Sequence, residues 1–407
     1  MTGPDPEPRG GREPEPRGDP GRGPDAPRAL VLRALGLGDL LTAVPALRAL
    51  RRGLPGRRIT LAAPRALAPL ALLTGAVDDV LPASGLDPLP PCGPLELAVN
   101  LHGRGPRSHR VLRALGPGRL LAFAHPSVLG SEGPPWEPDE HEVQRWCRLV
   151  AAYGFDADPR ELDLPAPPVP SPAPGAVVVH PGAGSPARRW PAERYAAVAA
   201  GLRERGEHVV VTGGPDETEV AGAVTAAAGL DPSDDLSGRT GPLELAALVA
   251  GARLVVCGDT GTGHLATAYG TPSVLLFGPV APGLWGPPPE RREHRVLWAG
   301  RHGDPHGAAP DPGLLEICVA RVADTAARAL TGAGRGPAPE DPPGPQGGRH
   351  ETSARRGDRR RGLPRLPPVR GPAGAGHLGH LPGQPADRDG AQRRAPDPAQ
   401  GLQVPEA

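Results

Sequence analysis

The residues best placed for chemistry lie in the stretch Leu254–Pro279, LVVCGDTGTGHLATAYGTPSVLLFGP. Leu254 to Cys257 is a short apolar, β-branched run ended by glycine, which predicts a buried strand. Asp259, Thr260, Gly261 and Gly263 form the loop that follows, and His264 to Tyr269 has the composition of a helix closed by Gly270. A strand, a glycine loop and a helix start make a site for phosphate. The first amides of a helix lack internal partners and sit at the positive end of its dipole, so they can hold a diphosphate without a metal. Glycines alone would fit an ordinary βα turn equally well. The presence of Asp259, Thr260 and His264 at the carboxyl end of a strand favours a ligand, because open α/β sheets bind ligands there.

The elements that must position this stretch alternate along the chain. Ala29–Arg33 reads as a first strand, 35–39 as a loop and Leu40–Arg51 as a helix with Pro45 in its first turns. Strands follow at 59–62, near Val80, at 97–101 and at 120–123, and helices at 66–74, 108–115 and 142–153. Pro165–Gly175, PAPPVPSPAPG, is a proline-rich linker and the best domain boundary. A second series has strands at 176–180, 208–212, 254–257 and, last, 273–277. Its helices fall at 192–205, after Glu217 to about Ala228, and at 243–250, with one long amphipathic helix over 314–330. Alternating β and α elements predict parallel sheets covered on both faces. The expected plan is a tail over 1–27, one Rossmann-like domain over 28–164, the linker 165–175, a second such domain over 176–332 and a tail over 333–407.

Composition narrows the function classes. The chain has 407 residues, 58 glycines and 59 prolines, concentrated toward its ends, which predicts disordered tails around a globular centre. There is no lysine, so arginine carries every fixed side-chain cation and is weak evidence of a special role. A formal net charge of +0 gives no general case for nucleic acid, and no apolar run is long enough to span a bilayer. The N-terminal tract lacks the apolar core of a signal peptide, so the expected location is cytoplasmic, with at most peripheral membrane contact. Cys92, Cys147, Cys257 and Cys318 form no CxxC pair, and neither zinc nor disulfides are expected. His302 and His306 in a Gly/Pro loop make a poor metal site.

Four blocks in order resemble glycosyltransferase family nine, the ADP-heptose:lipopolysaccharide heptosyltransferase family, over about 28–330. They are Gly38-Asp39 with Pro45-Ala46-Leu47-Arg48, His180-Pro181-Gly182-Ala183 with Arg189-Trp190-Pro191, Gly213-Gly214-Pro215, and Asp259-Thr260-Gly261 with His264-Leu265-Ala266. The resemblance implies the GT-B architecture, two Rossmann-like domains facing a central cleft, with the acceptor on the first and the sugar nucleotide on the second. It implies transfer with inversion and no metal or other cofactor. Such transfer needs a base for the acceptor hydroxyl and groups to carry charge on the departing diphosphate. Asp39 matches the base, although a helix N-cap explains it equally well from the residues alone. Arg188 stands where the family usually has lysine and would pair with phosphate. The donor-binding set is completed by Gly182, Ser185, Glu217, Asp259, Thr260, Gly261, Gly263 and His264. Arg104 and Arg107, beside His109 and Arg110, are candidates for an anionic glycan or lipid-linked acceptor, or simply a solvated helix face.

Two rival enzymes share these features. Gly182-Ala183-Gly184-Ser185-Pro186-Ala187 fits GxGxxA after a strand, the mark of an NAD(P)-dependent oxidoreductase. Pro186 and Pro191 interrupt the place where a dinucleotide helix should begin at once. A sugar-nucleotide epimerase would use the same phosphate loops, and so would a nucleotide-binding protein without catalysis.

Overall fold

A computed structural model describes residues 27–332, with Ser131 left out. The expected tails, apart from Pro27, lie outside the described residues. The first half runs β1 (Arg28–Leu32), α1 (Leu37–Thr42), α2 (Val44–Gly53), β2 (Arg58–Ala63), α3 (Ala68–Leu73), β3 (Asp79–Pro82), β4 (Leu97–Asn100), α4 (Arg107–Arg113), β5 (Arg119–Leu121) and α5 (Glu142–Ala151). The second half continues with β6 (Val177–His180), α6 (Ala192–Glu204), β7 (Val209–Val211), α7 (Thr218–Ala227), α8 (Pro242–Ala250), β8 (Leu254–Gly258), α9 (Gly261–Tyr269), β9 (Ser273–Leu276), α10 (Pro282–Trp285), β10 (His294–Leu297), α11 (Pro312–Leu315) and α12 (Val319–Leu330).

Each half builds one five-stranded sheet, ordered β3-β2-β1-β4-β5 and β10-β9-β8-β6-β7. All the strand pairs are parallel; Val31 faces Leu61 and Val99, and Val178 faces Val210 and Val255. Central strands of such sheets are covered on both faces and therefore read as unbroken apolar runs. Leu30 to Leu32 and Val177 to Val179 accordingly have no exposed surface. Strand order reverses between β1 and β4 and between β6 and β8, and the loops leaving those carboxyl ends open a crevice. The two halves are in contact: one apolar cluster joins Leu40, Leu41 and Leu47 to Leu265, Ala266 and Ala268, and the Leu164 amide donates to the Ala268 carbonyl at 3.0 Å.

Several elements differ from expectation for identifiable reasons. The helix expected over 40–51 begins at Leu37 and breaks at Ala43, because Pro45 has no N–H for the carbonyl one turn back. The strand expected to be last is followed by β10, which comes directly after the charged run 290–293 and pairs with β9. The long helix expected over 314–330 is two, α11 and α12. Between them the Ile317 carbonyl turns aside to accept from Trp190 Nε1 at 3.0 Å and Arg194 Nη1 at 3.1 Å. Helix α9 starts at Gly261, so its glycines belong to the first helical turn, and it ends at Gly270 with φ 63°, the left-handed closure that glycine adopts without strain.

Candidate functional site

Both switch points open on one cavity of about 520 Å³, in the size range of small-molecule sites. From the first sheet it is lined by Gly36 to Asp39. From the second it is lined by His180, Arg188, Glu217, Asp259 to Thr262 and His264, with Trp285 and His306.

Asp39 is the third residue of α1, not its cap. Gly36 is the N-cap, and Asp39 Oδ2 reaches back to accept from the Gly36 amide at 3.2 Å. Its other oxygen accepts from Arg33 Nη2 at 3.3 Å, and the side chain keeps 27% of its surface exposed to the cavity and solvent. The carboxylate is thus held, accessible and placed at a helix start.

On the facing side Asp259 follows β8 and is buried. Arg188 Nη2 donates to its Oδ2 at 2.8 Å and also to its carbonyl. Burial pushes the Asp259 carboxyl above its ordinary range, against the pull of Arg188. Arg188 sits in the single turn 186–188, and its Nε has no partner among the described residues, which leaves a buried donor at the cavity wall. The α9 N-terminus points its amides at the same space. Burial lowers His264 to about 4, so near neutral pH it offers an anion a neutral N–H and no charge. Its ring meets Trp285 edge-on, with centroids 6.0 Å apart.

Several of these glycines lie against neighbouring protein atoms. A Cβ at Gly261 would stand 2.8 Å from Leu37 Cβ, and one at Gly38 would stand 2.8 Å from His264 Cδ2. These two glycines let α1 and α9 touch, so a side chain at Gly261 meets Leu37 before any diphosphate. Gly182 makes room for the Glu217 carboxylate, which accepts from the Gly214 amide at 2.8 Å. Gly263 faces inward, where a Cβ would stand 3.0 Å from Leu275, and its amide already donates to the Thr260 carbonyl at 3.0 Å. Ser185 Oγ donates to the Pro305 carbonyl at 2.5 Å. Gly182, Ser185 and Gly263 are therefore outside the cavity lining.

Arg104 and Arg107 are exposed on the loop after β4 and the first turn of α4, also outside that lining. His109 is not on a solvated face: it is fully buried, with Nε2 2.8 Å from the Phe123 carbonyl. Among the described residues no three His, Cys, Asp or Glu side chains gather as a metal site, and no helix is long and apolar enough to cross a membrane. After β6 the chain makes only a single turn at 186–188, and α6 begins at Ala192, so the immediate dinucleotide helix of an oxidoreductase is missing.

The pattern of residues gave no site role to Arg33, His180 or Trp285, and weighed His306 only as a metal ligand. His180 ends β6 with Nδ1 3.1 Å from the Thr212 carbonyl and Nε2 3.8 Å from Glu217, and burial keeps its pKa low. Only Arg33 left a usable signal, a charge directly after the apolar run 29–32.

Residues 134–305 match the model of glycosyltransferase family 9 (heptosyltransferase). The resemblance to glycosyltransferase family 9 holds. Lipopolysaccharide heptosyltransferase 3 of Escherichia coli K12 is 34% identical over 128 residues, 31% of this chain and 37% of the relative. The chain thus aligns with well under half of that relative's length. Nocardicin C-9' epimerase of Nocardia uniformis is 34% identical over 232 residues, 53% of this chain and 61% of its own. The fold is that of E. coli ADP-heptose lipopolysaccharide heptosyltransferase II, with a TM-score of 0.60 at 21% identity over 75% of this chain and 99% of that one. The two sheets and their cleft are therefore a GT-B arrangement. Asp39 lies outside the segment that matches the family.

Proposed function

We propose that the chain is an inverting glycosyltransferase that moves a heptose-like sugar from an ADP-linked donor to a hydroxyl of a glycan or lipid-linked acceptor. The observation that carries this reading is the shared cavity. An accessible carboxylate, Asp39, faces the α9 N-terminus, Asp259 and Arg188 across it. In this reading residues 28–164 receive the acceptor and 176–332 hold the donor.

The chemistry follows from the parts. Asp39 takes the proton as the acceptor oxygen attacks the anomeric carbon, and the bond to the diphosphate breaks on the opposite face. Charge gathering on that leaving group is met by the α9 amides and the free Nε–H of Arg188. These donors supply the stabilisation that a divalent cation gives elsewhere, so the reading includes activity that survives EDTA. Asp259, anchored by Arg188, accepts from sugar hydroxyls, and Glu217 accepts from the ribose.

A thermal-shift panel of ADP-, GDP-, UDP- and dTDP-sugars beside NAD and NADP tests the donor class, since a ligand of the native state raises its apparent stability. ADP-heptose should give the shift. A shift with NAD(P) alone would move the assignment to an oxidoreductase. Donor converted to an isomer without sugar transfer would move it to an epimerase.

A further inference from the structure

Resting on Asp39 as the base, we infer that Arg33 is the positioning residue of the transfer reaction and fixes the Asp39 carboxylate from beneath the cavity floor. The Arg33 side chain is 1% exposed and lies directly after β1. Its Nε donates to the Asp39 carbonyl at 2.7 Å, while Nη2 lies 3.3 Å from Asp39 Oδ1. One edge of the guanidinium therefore grips the backbone and the carboxylate of the same residue, which together with the Gly36 amide on Oδ2 fixes the direction in which the carboxylate points.

The rest of the cation has partners on other elements. Nη1 donates to the Leu101 carbonyl at 2.5 Å, and Nη2 also reaches Thr42 Oγ1 at 3.1 Å and Glu142 Oε1 at 3.2 Å. Its face stacks over Trp146, 4.6 Å from the ring centroid. Glu142 supplies the countercharge a buried cation needs, and is itself held by Arg145 and by Trp146 Nε1 at 2.8 Å. Arg33 is buried and does not line the cavity, so it acts on substrate only through Asp39. Thr42 closes the arrangement by donating to the Asp39 carbonyl at 3.0 Å.

A rigid planar fork is what this geometry uses. Lysine keeps the charge but cannot bond two points of Asp39 together with Leu101 and Glu142. A purely structural rivet joining β1, the β4 loop and α5 would need the Leu101 and Glu142 bonds but not those to Asp39.

The test is a cycle of Arg33→Lys, Asp39→Asn and the double variant, with ADP-heptose as donor and heptose-free lipopolysaccharide core as acceptor. Arg33→Lys should lower kcat by about 10- to 100-fold, the scale of a misplaced catalytic group, with donor KM and ADP affinity unchanged. The double variant should be no slower than Asp39→Asn, since the two side chains act as one unit. Losses that multiply, or a loss that appears in KM and melting temperature but not in kcat, would overturn the positioning role alone. Asp39→Asn at the wild-type rate would overturn the base and with it this inference. If Arg33→Lys does not fold, Thr42→Val carries the same cycle: a kcat loss that vanishes in the Asp39→Asn background supports the inference, and no loss overturns it.

Discussion

Adding one methyl at Gly261 should open the cleft without touching either sheet. The Cβ of Gly261→Ala would fall 2.8 Å from Leu37 Cβ, 2.8 Å from its Cγ and 2.9 Å from its Cδ2. Carbon atoms pack at about 3.5–4.0 Å, so the shortfall is about 0.7–1.2 Å. Leu37 Cβ is rooted in α1 and cannot rotate away, so α1 and α9 must separate. Overpacking of this kind costs about 1–3 kcal/mol, and here the cost falls on the closed arrangement of the two halves. At about 1.4 kcal/mol per tenfold change, the competent population and kcat/KM should fall by up to about 100-fold. Leu37→Ala removes the Cγ and Cδ2 contacts but leaves Cβ, so it should restore the rate only in part. Gly201→Ala in α6 is the control: its Cβ would meet nothing within 4 Å, and a helix interior gains about 0.5–1 kcal/mol from the change. Steady-state transfer with ADP-heptose and ADP titration on the same samples measure this. Wild-type turnover and affinity in Gly261→Ala would refute the close contact of α1 with α9.

Asp39→Asn keeps the size of the side chain and its bond from the Gly36 amide, so transfer should fall about 10²–10⁴-fold while ADP affinity holds. A rate-limiting chemical step at wild-type speed would remove Asp39 from the mechanism. Burial holds His264 and His294 at about 4, below the ordinary 6.5, so the unfolded chain binds more protons in that window. Stability should therefore be level above pH 6.5 and fall as pH drops toward 4, by up to about 1.4 kcal/mol per pH unit for each imidazole. A melting temperature unchanged across that range would show that these histidines are not buried neutral. Transfer should also proceed unchanged in EDTA, and a rate lost to chelation and restored by a divalent cation would contradict leaving-group stabilisation by α9 and Arg188.

The sheets were legible because their central strands are buried on both faces. Val177 to Val179 and Leu254 to Cys257 announce themselves as apolar runs whatever surrounds them. Where a tertiary contact decides, local pattern fails. The break between α11 and α12 follows from the reach of Trp190 and Arg194 to the Ile317 carbonyl, more than 120 residues along the chain. Strand β10, which directly follows the charged run 290–293, forms at the edge that β9 offers it. The Arg33 network is hidden for the same reason, since its partners Leu101 and Glu142 lie 68 and 109 residues away.

The glycine loop shows how far a motif can be read for function. In Asp259-Thr260-Gly261-Thr262-Gly263-His264 one glycine admits Leu37 and the other admits Leu275. What the loop offers an anion is the set of α9 amides, which any residue at those positions would supply, together with the Arg188 Nε–H. Gly261 and Gly38 set a distance: by letting α1 rest on α9 they bring Asp39 and Asp259 to opposite walls of one cavity. In the proposed reaction a base on one sheet and a donor loop on the other cooperate across that cavity. For that reason the substitution at Gly261 should impair transfer through packing, whereas the one at Asp39 should impair it through chemistry.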